Sequence, residues 1–594
     1  EAGLEPLANL IMAQAESPKG ALGEAARFAN AEGGYPDAES ALQGARDIVA
    51  EAIADDAEHT AALRAFTHKT AQFEAVAADA AEKTAYETYY DFSEPARRIP
   101  NHRVLAIDRG EKEGKLRVRV RTDADAAIDT LGRRVVRRRG PFADDLDAAI
   151  ADGYKRLMAP ALERELRSEL TGRAQTDAIA VFAKNTESLL SQRPVKGARI
   201  IALDPGYRTG CKMAVLDEFG RLLDHGTVRR DVEGTKRTLE RMVKRHGINT
   251  IVIGNGTASR ETEEVVAQFI AESSADLRYA IVNEAGASVY SASKLASEEY
   301  PELDVTTRGA MSLGRRLQDP LAELVKIPVQ SIGVGQYQHD LDQAELGRAL
   351  ADVVERTVNR VGVNLNTASA SLLGYVSGIT PTLARNIVAY REEHGAFTDR
   401  RQLKKVPRLG PKAYLNCAGF LRIADGDNPL DATGVHPESY AIAEALLKRA
   451  GVKPDDLSRG GIPDIKTRIG STAALAAELG CGEPTLRDIV AELEKPGRDP
   501  REDAPEAVFS TSVRDLDDLA CGMELSGTVR NVVDFGAFVD IGVKQDGLVH
   551  ISKLADRFVK HPSDIVAVGD TVTVWVEKID KERGKISLSM VKPR

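Results

Sequence analysis

Residues 522–552, GMELSGTVRNVVDFGAFVDIGVKQDGLVHIS, and residues 569–590, GDTVTVWVEKIDKERGKISLSM, decide how the C-terminal part of this chain folds. In 523–529 the apolar Met523, Leu525 and Val529 alternate with Glu524, Ser526 and Thr528, which is the period of a strand with one buried face. Extending that parity turns Ala537, Val539 and Ile541 inward and leaves Phe538 on the outer face beside Asp540. An outward aromatic needs a reason. In 547–552 Val549 and Ile551 point in, so His550 joins Phe538 outside if the two strands pair antiparallel. Two further strands, 571–580 and 585–590, complete a small all-β barrel.

The pattern fits an OB-fold barrel, which receives oligonucleotides on its second and third strands and on the loops joining strands 1 and 2 and strands 4 and 5. Phe538 and His550 then occupy the face, Phe535 sits in the first loop, and Arg583 and Lys585 flank the last turn. A base stacked on an aromatic ring gains about 1 to 3 kcal/mol while basic residues hold the backbone. Acidic and basic residues nearly balance here, so stacking outweighs bulk charge. Both stretches resemble an S1-type RNA-binding domain through most of their length. That resemblance implies that Phe535, Phe538 and His550 contact bases, with Asp580, Arg583 and Lys585 beside them. The alternative is that Phe535 packs at the barrel mouth and His550 is an ordinary surface histidine.

Outward from the barrel, 594 residues exceed what one core can organise, so several domains are expected. An apolar share of 43% and a charged share of 29% describe a folded chain, and the apolar runs are strand-sized, far short of the ~18 residues of a membrane span. Cys211, Cys417, Cys481 and Cys521 lie far apart with no CxxC pair, which indicates neither a zinc site nor a disulfide framework and fits a reducing cytoplasm. A net charge of −10 excludes coating of nucleic acid by bulk positive charge, so any binding uses local patches. Residues 1–14 read as an amphipathic helix with no secretory signal, and the numbering is expected to start inside a longer protein.

Domain by domain, 1–197 reads as a helical module, with Ala45, Ile48, Val49 and Ile53 at helical spacing and a small β insertion, a strand pair around 110–114. Residues 198–335 mix strands and helices, 336–425 carry helical pairs joined by glycine hairpins, 426–494 are helical, 495–513 read as a linker and 514–594 hold the barrel. The expected class is multidomain and mostly α, with an α/β domain and a terminal all-β barrel.

The sequence of 371–423 resembles a tandem helix-hairpin-helix domain with hairpins at Gly378-Ile379 and Leu409-Gly410. Glycine supplies the tight positive-φ turn, and the helix N-terminus behind it presents N–H groups to a phosphate oxygen. Arg385, Arg391, Arg400, Arg401, Lys404, Lys405, Arg408, Lys412 and Arg422 outnumber the local acids, against the sign of the whole chain. Contacts of this kind are independent of base sequence. A purely architectural pair of hairpins is the alternative.

The stretch 200–228, IIALDPGYRTGCKMAVLDEFGRLLDHGTV, resembles the YqgF and Holliday-junction-resolvase branch of the RNase H-like fold. In active relatives a first-strand aspartate and further carboxylates hold two divalent metals that clamp the attacking and leaving oxygens of a phosphodiester. Asp204 matches that aspartate, and Glu284 and Asp319 are candidates to complete the set. Asn255 stands where active enzymes carry a carboxylate, and an amide is a weaker ligand for a hard cation. Mg²⁺ or Mn²⁺ is expected only if the nuclease reading holds. No nucleotide site is indicated, because Gly254-Asn255-Gly256 lacks the Gly-Lys-Ser/Thr of a P-loop; Thr257 or Ser259 is expected to cap the next helix.

The order of these parts is similar to the Tex family of bacterial transcription accessory proteins, as are the joining stretches 89–111, 312–340, 361–369 and 428–440. The resemblance implies binding of single-stranded RNA or DNA and a role near transcription, with RNA polymerase or the ribosome as partner and no small-molecule cofactor. A non-catalytic adaptor and a metal-dependent nuclease are the two readings it leaves.

Overall fold

The computed structural model describes residues 3–206, 210–228, 231–256, 258–333, 337–504, 519–543, 545–580 and 585–592. They form two compact units, Glu1–Ala178 with His339–Leu341, and Ile179–Gln338 with Asp342–Arg594. Among the described residues no helix is long and apolar enough to cross a membrane.

In the first unit, aspartates set the helix starts. Asp37 accepts the Ser40 amide ahead of Ala38–Asp55, Asp56 accepts two amides ahead of Ala57–Thr70, and Asp123 caps Ala124–Val135. The apolar faces so aligned place Leu42, Ala45, Val49 and Ile53 against Leu131, Leu146 and Ile150. The β insertion differs from the expected strand pair. Residues Asn101–Lys112 are a helix burying Val104, Leu105 and Ile107, and the sheet is built from β1 (Gln72–Ala77), β2 (Asp91–Pro95) and β3 (Leu116–Arg121) in the order β2-β1-β3. Over so short a window, Val104, Leu105 and Ile107 satisfy strand and helix periods alike, and the true partner of β3 lies some forty residues earlier.

The second unit opens its α/β domain with β4 (Ile200–Asp204), β5 (Cys211–Leu216) and β6 (Leu222–Val228) as an antiparallel meander. Strands β7 (Thr250–Gly254) and β8 (Arg278–Val282) add parallel to β4, giving the order β6-β5-β4-β7-β8. Every residue of β7 is buried because helices cover both faces. Ile201, Leu203, Ile251 and Ile253 pack on Leu239, Val243 and Phe269 on one side. Ala202, Ala214 and Val252 pack on Ala310 and Leu313 of the helix Val305–Gln318 on the other. That helix sits close: a Cβ on Gly314 would stand 3.1 Å from the Ala202 Cβ.

Beyond it, the helix Gln343–Val361 leads into the hairpin region, whose two ends meet in a short parallel pair, β9 (Val363–Asn364) and β10 (Leu421–Arg422). Helices Tyr440–Ala450, Thr472–Leu479 and Glu483–Glu494 then enclose Leu446, Leu475, Leu486 and Val490. The expected linker is packed in its first part. Pro500–Asp503 forms a 3₁₀ turn in which Arg501, 6% exposed, bonds Asp499 and Asp319. Residues 505–513, the rest of that linker, lie outside the described residues.

The terminal barrel closes as β11-β12-β13-β15-β14, from β11 (Glu524–Val533), β12 (Gly536–Asp540), β13 (Gly547–His550), β14 (Thr571–Asp580) and β15 (Lys585–Ser589). Leu525, Val529, Ala537, Val539 and Val549, which parity turns inward, fill it together with Val574, Ile586 and Leu588. A bulge between Val529 and Asn531 shifts the register of β11 against β12. It turns Asn531 outward and Val532 in, where strict alternation would do the reverse.

Candidate nucleic-acid interface

Antiparallel pairing sets Phe538 opposite Asn531 on one side and Leu548 on the other; parallel pairing sets Leu548 beside Ser587. These four form one row across the outside of the barrel. His550 lies two residues beyond Leu548 and Lys585 two residues before Ser587, so they stand about 7 Å to either side of the row. Phe535, in the turn between β11 and β12, meets Phe538 edge to face with ring centres 6.3 Å apart. Both rings are half-buried and neither belongs to the apolar core of the barrel.

The polar groups around the rings are held in place. His550 Nδ1 accepts the Ser552 amide at 3.3 Å and lies 2.9 Å from the Ser552 hydroxyl, which fixes the ring. Arg530 and Asp540 pair at 2.6 Å on the same face. Asn185, 2% exposed on the long helix Ala159–Leu190, donates to the Val532 carbonyl at 2.9 Å and to Asn531 Oδ1 at 3.3 Å, bracing the bulge. Asp580 and Lys585 are register partners at the end of β14 and β15, and Arg583 lies outside the described residues. Asn531 and Leu548 are members of the face that alternation alone missed, the first because of the bulge and the second because an outward leucine carries no polar signal.

The two hairpins align as VSGITP, 376–381, and VPRLGP, 406–411. Gly378 has φ +83°, and a Cβ there would stand 2.6 Å from the Asn416 Cβ, so both turn and packing demand glycine. In the second hairpin the positive φ falls on Arg408, at +68°, while Gly410 is extended. The expected glycine turn is thus made by an exposed arginine, at a position where any side chain is strained. Ile379 and Leu409 are buried beneath the tips, and Thr380 caps the helix Pro381–His394. Lys404, Lys405, Arg408 and Lys412 are exposed, with the Lys404 ammonium 4.6 Å from the Tyr414 ring centre.

Three of the arginines counted as basic surface are otherwise engaged. Arg400 is 1% exposed and bonds the carbonyls of Leu421, Thr433 and Val435. Arg391 bonds the Leu365 and Ala368 carbonyls, and burial pushes the Arg422 guanidinium below its usual range.

In the α/β domain the structure brings together Asp204 and Glu284 but not Asp319. Gln318 bonds the carbonyls of Ala198 and Asp217, which puts its neighbour Asp319 at the end of β4 opposite Asp204; there it caps the helix Pro320–Leu324 and pairs with Arg501 at 2.6 Å. The helix Val305–Gln318 turns Gly309 toward Asp204, offering no oxygen. Glu284 fits a notch between Gly254 and Gly256, where a Cβ on Gly256 would stand 2.0 Å from its Oε1. Asn255 is spent on that loop, accepting the Glu284 amide at 3.0 Å. Arg316 clamps the same loop through the carbonyls of Asn283 and Ala285. The next helix has Ala258, φ +69°, at its N-cap with no side-chain bond, so Ser259 does not cap it, and Thr257 lies outside the described residues. Among the described residues no group of three or more His, Cys, Asp or Glu is arranged to hold a metal ion, and two carboxylates do not fit a two-metal centre.

The Asp204 carboxyl is pushed up to about 6, first by burial and then by the charge of Glu284. The folded state therefore holds this proton more tightly than the unfolded chain. Its contribution to stability is full below about pH 4 and is lost as pH rises through about 6. Asp204→Asn, which cannot ionise, is expected to stabilise the protein by about 1 to 2 kcal/mol near pH 7.5 in chelator and to change little near pH 4. Urea unfolding at the two pH values checks this.

Family models match along the chain: Tex central region-like over 17–182, Tex protein YqgF-like domain over 198–318, helix-hairpin-helix motif over 358–422, HHH domain over 428–501 and S1 RNA binding domain over 518–591. The segment that reads only as helical from its sequence is thus similar to a further helix-hairpin-helix domain. The chain is 48% identical to the uncharacterized protein YdcI of Bacillus subtilis, over 99% of this chain and 83% of that one. It is 47% identical to protein tex of Bordetella pertussis, over 99% and 77%, and 45% identical to the transcriptional accessory protein Tex of Neisseria gonorrhoeae, over 99% and 78%. With every domain matched in order and relatives this similar along their length, the chain belongs to the Tex family of transcription accessory proteins.

Proposed function

We propose that this protein grips single-stranded RNA on the outer face of its terminal barrel, adds sequence-independent backbone contacts from the hairpins, and works without catalysis as an adaptor. The observation that carries the reading is the row of Phe538 and Leu548 with Phe535 against it, flanked by His550 and Lys585, on a barrel whose core is complete without them. Apolar and aromatic groups left outside a filled barrel suit unpaired bases, whose faces are open in single strands and hidden in duplexes. The exposed cations of the second hairpin suit phosphates. The name of the Neisseria gonorrhoeae relative supports a place beside transcription, and RNA polymerase or the ribosome in the cytoplasm is the proposed partner. No cofactor enters this reading. Asp319 on the wrong end of β4 and Gly309 facing Asp204 speak against a nuclease.

Anisotropy titration of a labelled oligouridine against the full chain, with duplex DNA as competitor, tests the proposal. Oligouridine is expected to bind and duplex to compete poorly; equal competition by duplex would sink it. Labelled single-stranded, duplex and branched substrates incubated with Mg²⁺ or Mn²⁺ are expected to stay intact. Cleavage that Asp204→Asn abolishes would put the nuclease in the adaptor's place.

A further inference from the structure

Phe558 is 92% exposed, more than any other large apolar side chain among the described residues. It lies in the long connection between β13 and β14. That connection is not loose. Leu554, Val559 and Val566 pack into the barrel core and Pro562 is buried, so Phe558 is held out on a fixed base between inward anchors. Arg557, Lys560 and His561 around it are exposed, against one acid, Asp556. Arg557 and Lys560 form no ion pair among the described residues. The connection leaves directly from the aromatic face: it begins after His550, and its first residue, Ile551, donates its amide to the Phe535 carbonyl at 2.8 Å.

We infer that Phe558, with Arg557 and Lys560, is a second stacking platform that takes a base of the same RNA strand after it leaves the Phe538 face. The inference rests on the reading of that face as the RNA site. A ring this exposed gains nothing from water, whereas a base stacked on it is sequence-tolerant and the flanking cations hold the neighbouring phosphates. Its spacing follows from the chain: eight residues after His550 reach at most about 28 Å, within the span of a strand threading one barrel. A short strand fills the first face alone, and only a longer one reaches Phe558.

The test is equilibrium binding of oligouridines of about 5 and about 16 nucleotides, bracketing what one such barrel covers, to the full chain and its variants. Phe558→Ala is expected to weaken the long strand about tenfold and leave the short one unchanged, while Phe558→Trp keeps long-strand affinity. At 92% exposure the substitution leaves the core intact, which an unchanged urea midpoint confirms. If Phe558→Ala leaves the long strand unchanged while Phe538→Ala with His550→Ala weakens it, the second platform is overturned, the RNA face stands, and Phe558 belongs to a protein contact. If Phe558→Ala weakens both lengths equally, the ring is part of the first face and the inference also fails. If neither variant changes either length, the RNA reading itself falls with it.

Discussion

Arg400→Met is expected to destabilise the hairpin region by about 3 to 5 kcal/mol, although it removes a side chain that looks from sequence like one of nine equivalent surface cations. The guanidinium is 1% exposed and donates to the Leu421 carbonyl at 2.6 Å, the Val435 carbonyl at 2.8 Å, the Tyr440 hydroxyl at 2.7 Å and the Thr433 carbonyl. Asp431, also 1% exposed, accepts the Arg400 amide at 2.8 Å and the Tyr440 hydroxyl at 2.5 Å. Methionine fills the volume but strands three buried carbonyls, each costing about 1 to 3 kcal/mol. These groups join the end of the hairpin region to the helical segment that follows, so the first urea transition, followed by circular dichroism, is expected to move to lower denaturant. Arg401→Met is the control. That side chain is 79% exposed and pairs with Asp399, and its loss is expected to leave the urea midpoint nearly unchanged. Equal midpoints for the two variants would show that the buried network contributes nothing specific.

Phe538→Ala combined with His550→Ala is expected to lower affinity for single-stranded RNA about 100-fold, from roughly 1 to 3 kcal/mol of lost stacking at each position. Neither side chain belongs to the barrel core, so the fold should persist. The loss is also expected to be insensitive to salt. Stacking releases no counterions, whereas removing the Lys585 charge should reduce the slope of log K against log salt by about 0.7, the single-strand value for one phosphate contact. Titration of a labelled oligouridine at two salt concentrations separates the effects. Unchanged affinity at moderate salt would remove the barrel face from the proposed function.

The parity of the barrel strands was legible because alternation is local. Ala537, Val539 and Val549 must point one way if the strand is to bury anything, and Phe538 and His550 are then left outside. The position of the hairpins was legible for the same reason, since VSGITP and VPRLGP are short local patterns, although the residue that takes the positive φ in the second was not. What escaped was each case where a distant residue decides. The short apolar run of the helix Asn101–Lys112 is not diagnostic of helix or strand by itself, and the partner of β3 is β1, far back in the chain. Asn531 faces out because a bulge, braced by Asn185, breaks the alternation.

The sequence by itself determined the order of the domains, the inward face of the barrel strands wherever alternation is unbroken, and the residue types available for stacking, because these depend on neighbours a few positions away. Only the tertiary structure decided which identical side chains share a fate. It buried Arg400 and exposed Arg401, brought Glu284 to Asp204 while sending Asp319 to the other end of β4, and placed the strained turn on Arg408 rather than on a glycine. The reason is that burial and electrostatics are set by what closes over a residue, and those groups come from parts of the chain that local pattern does not connect.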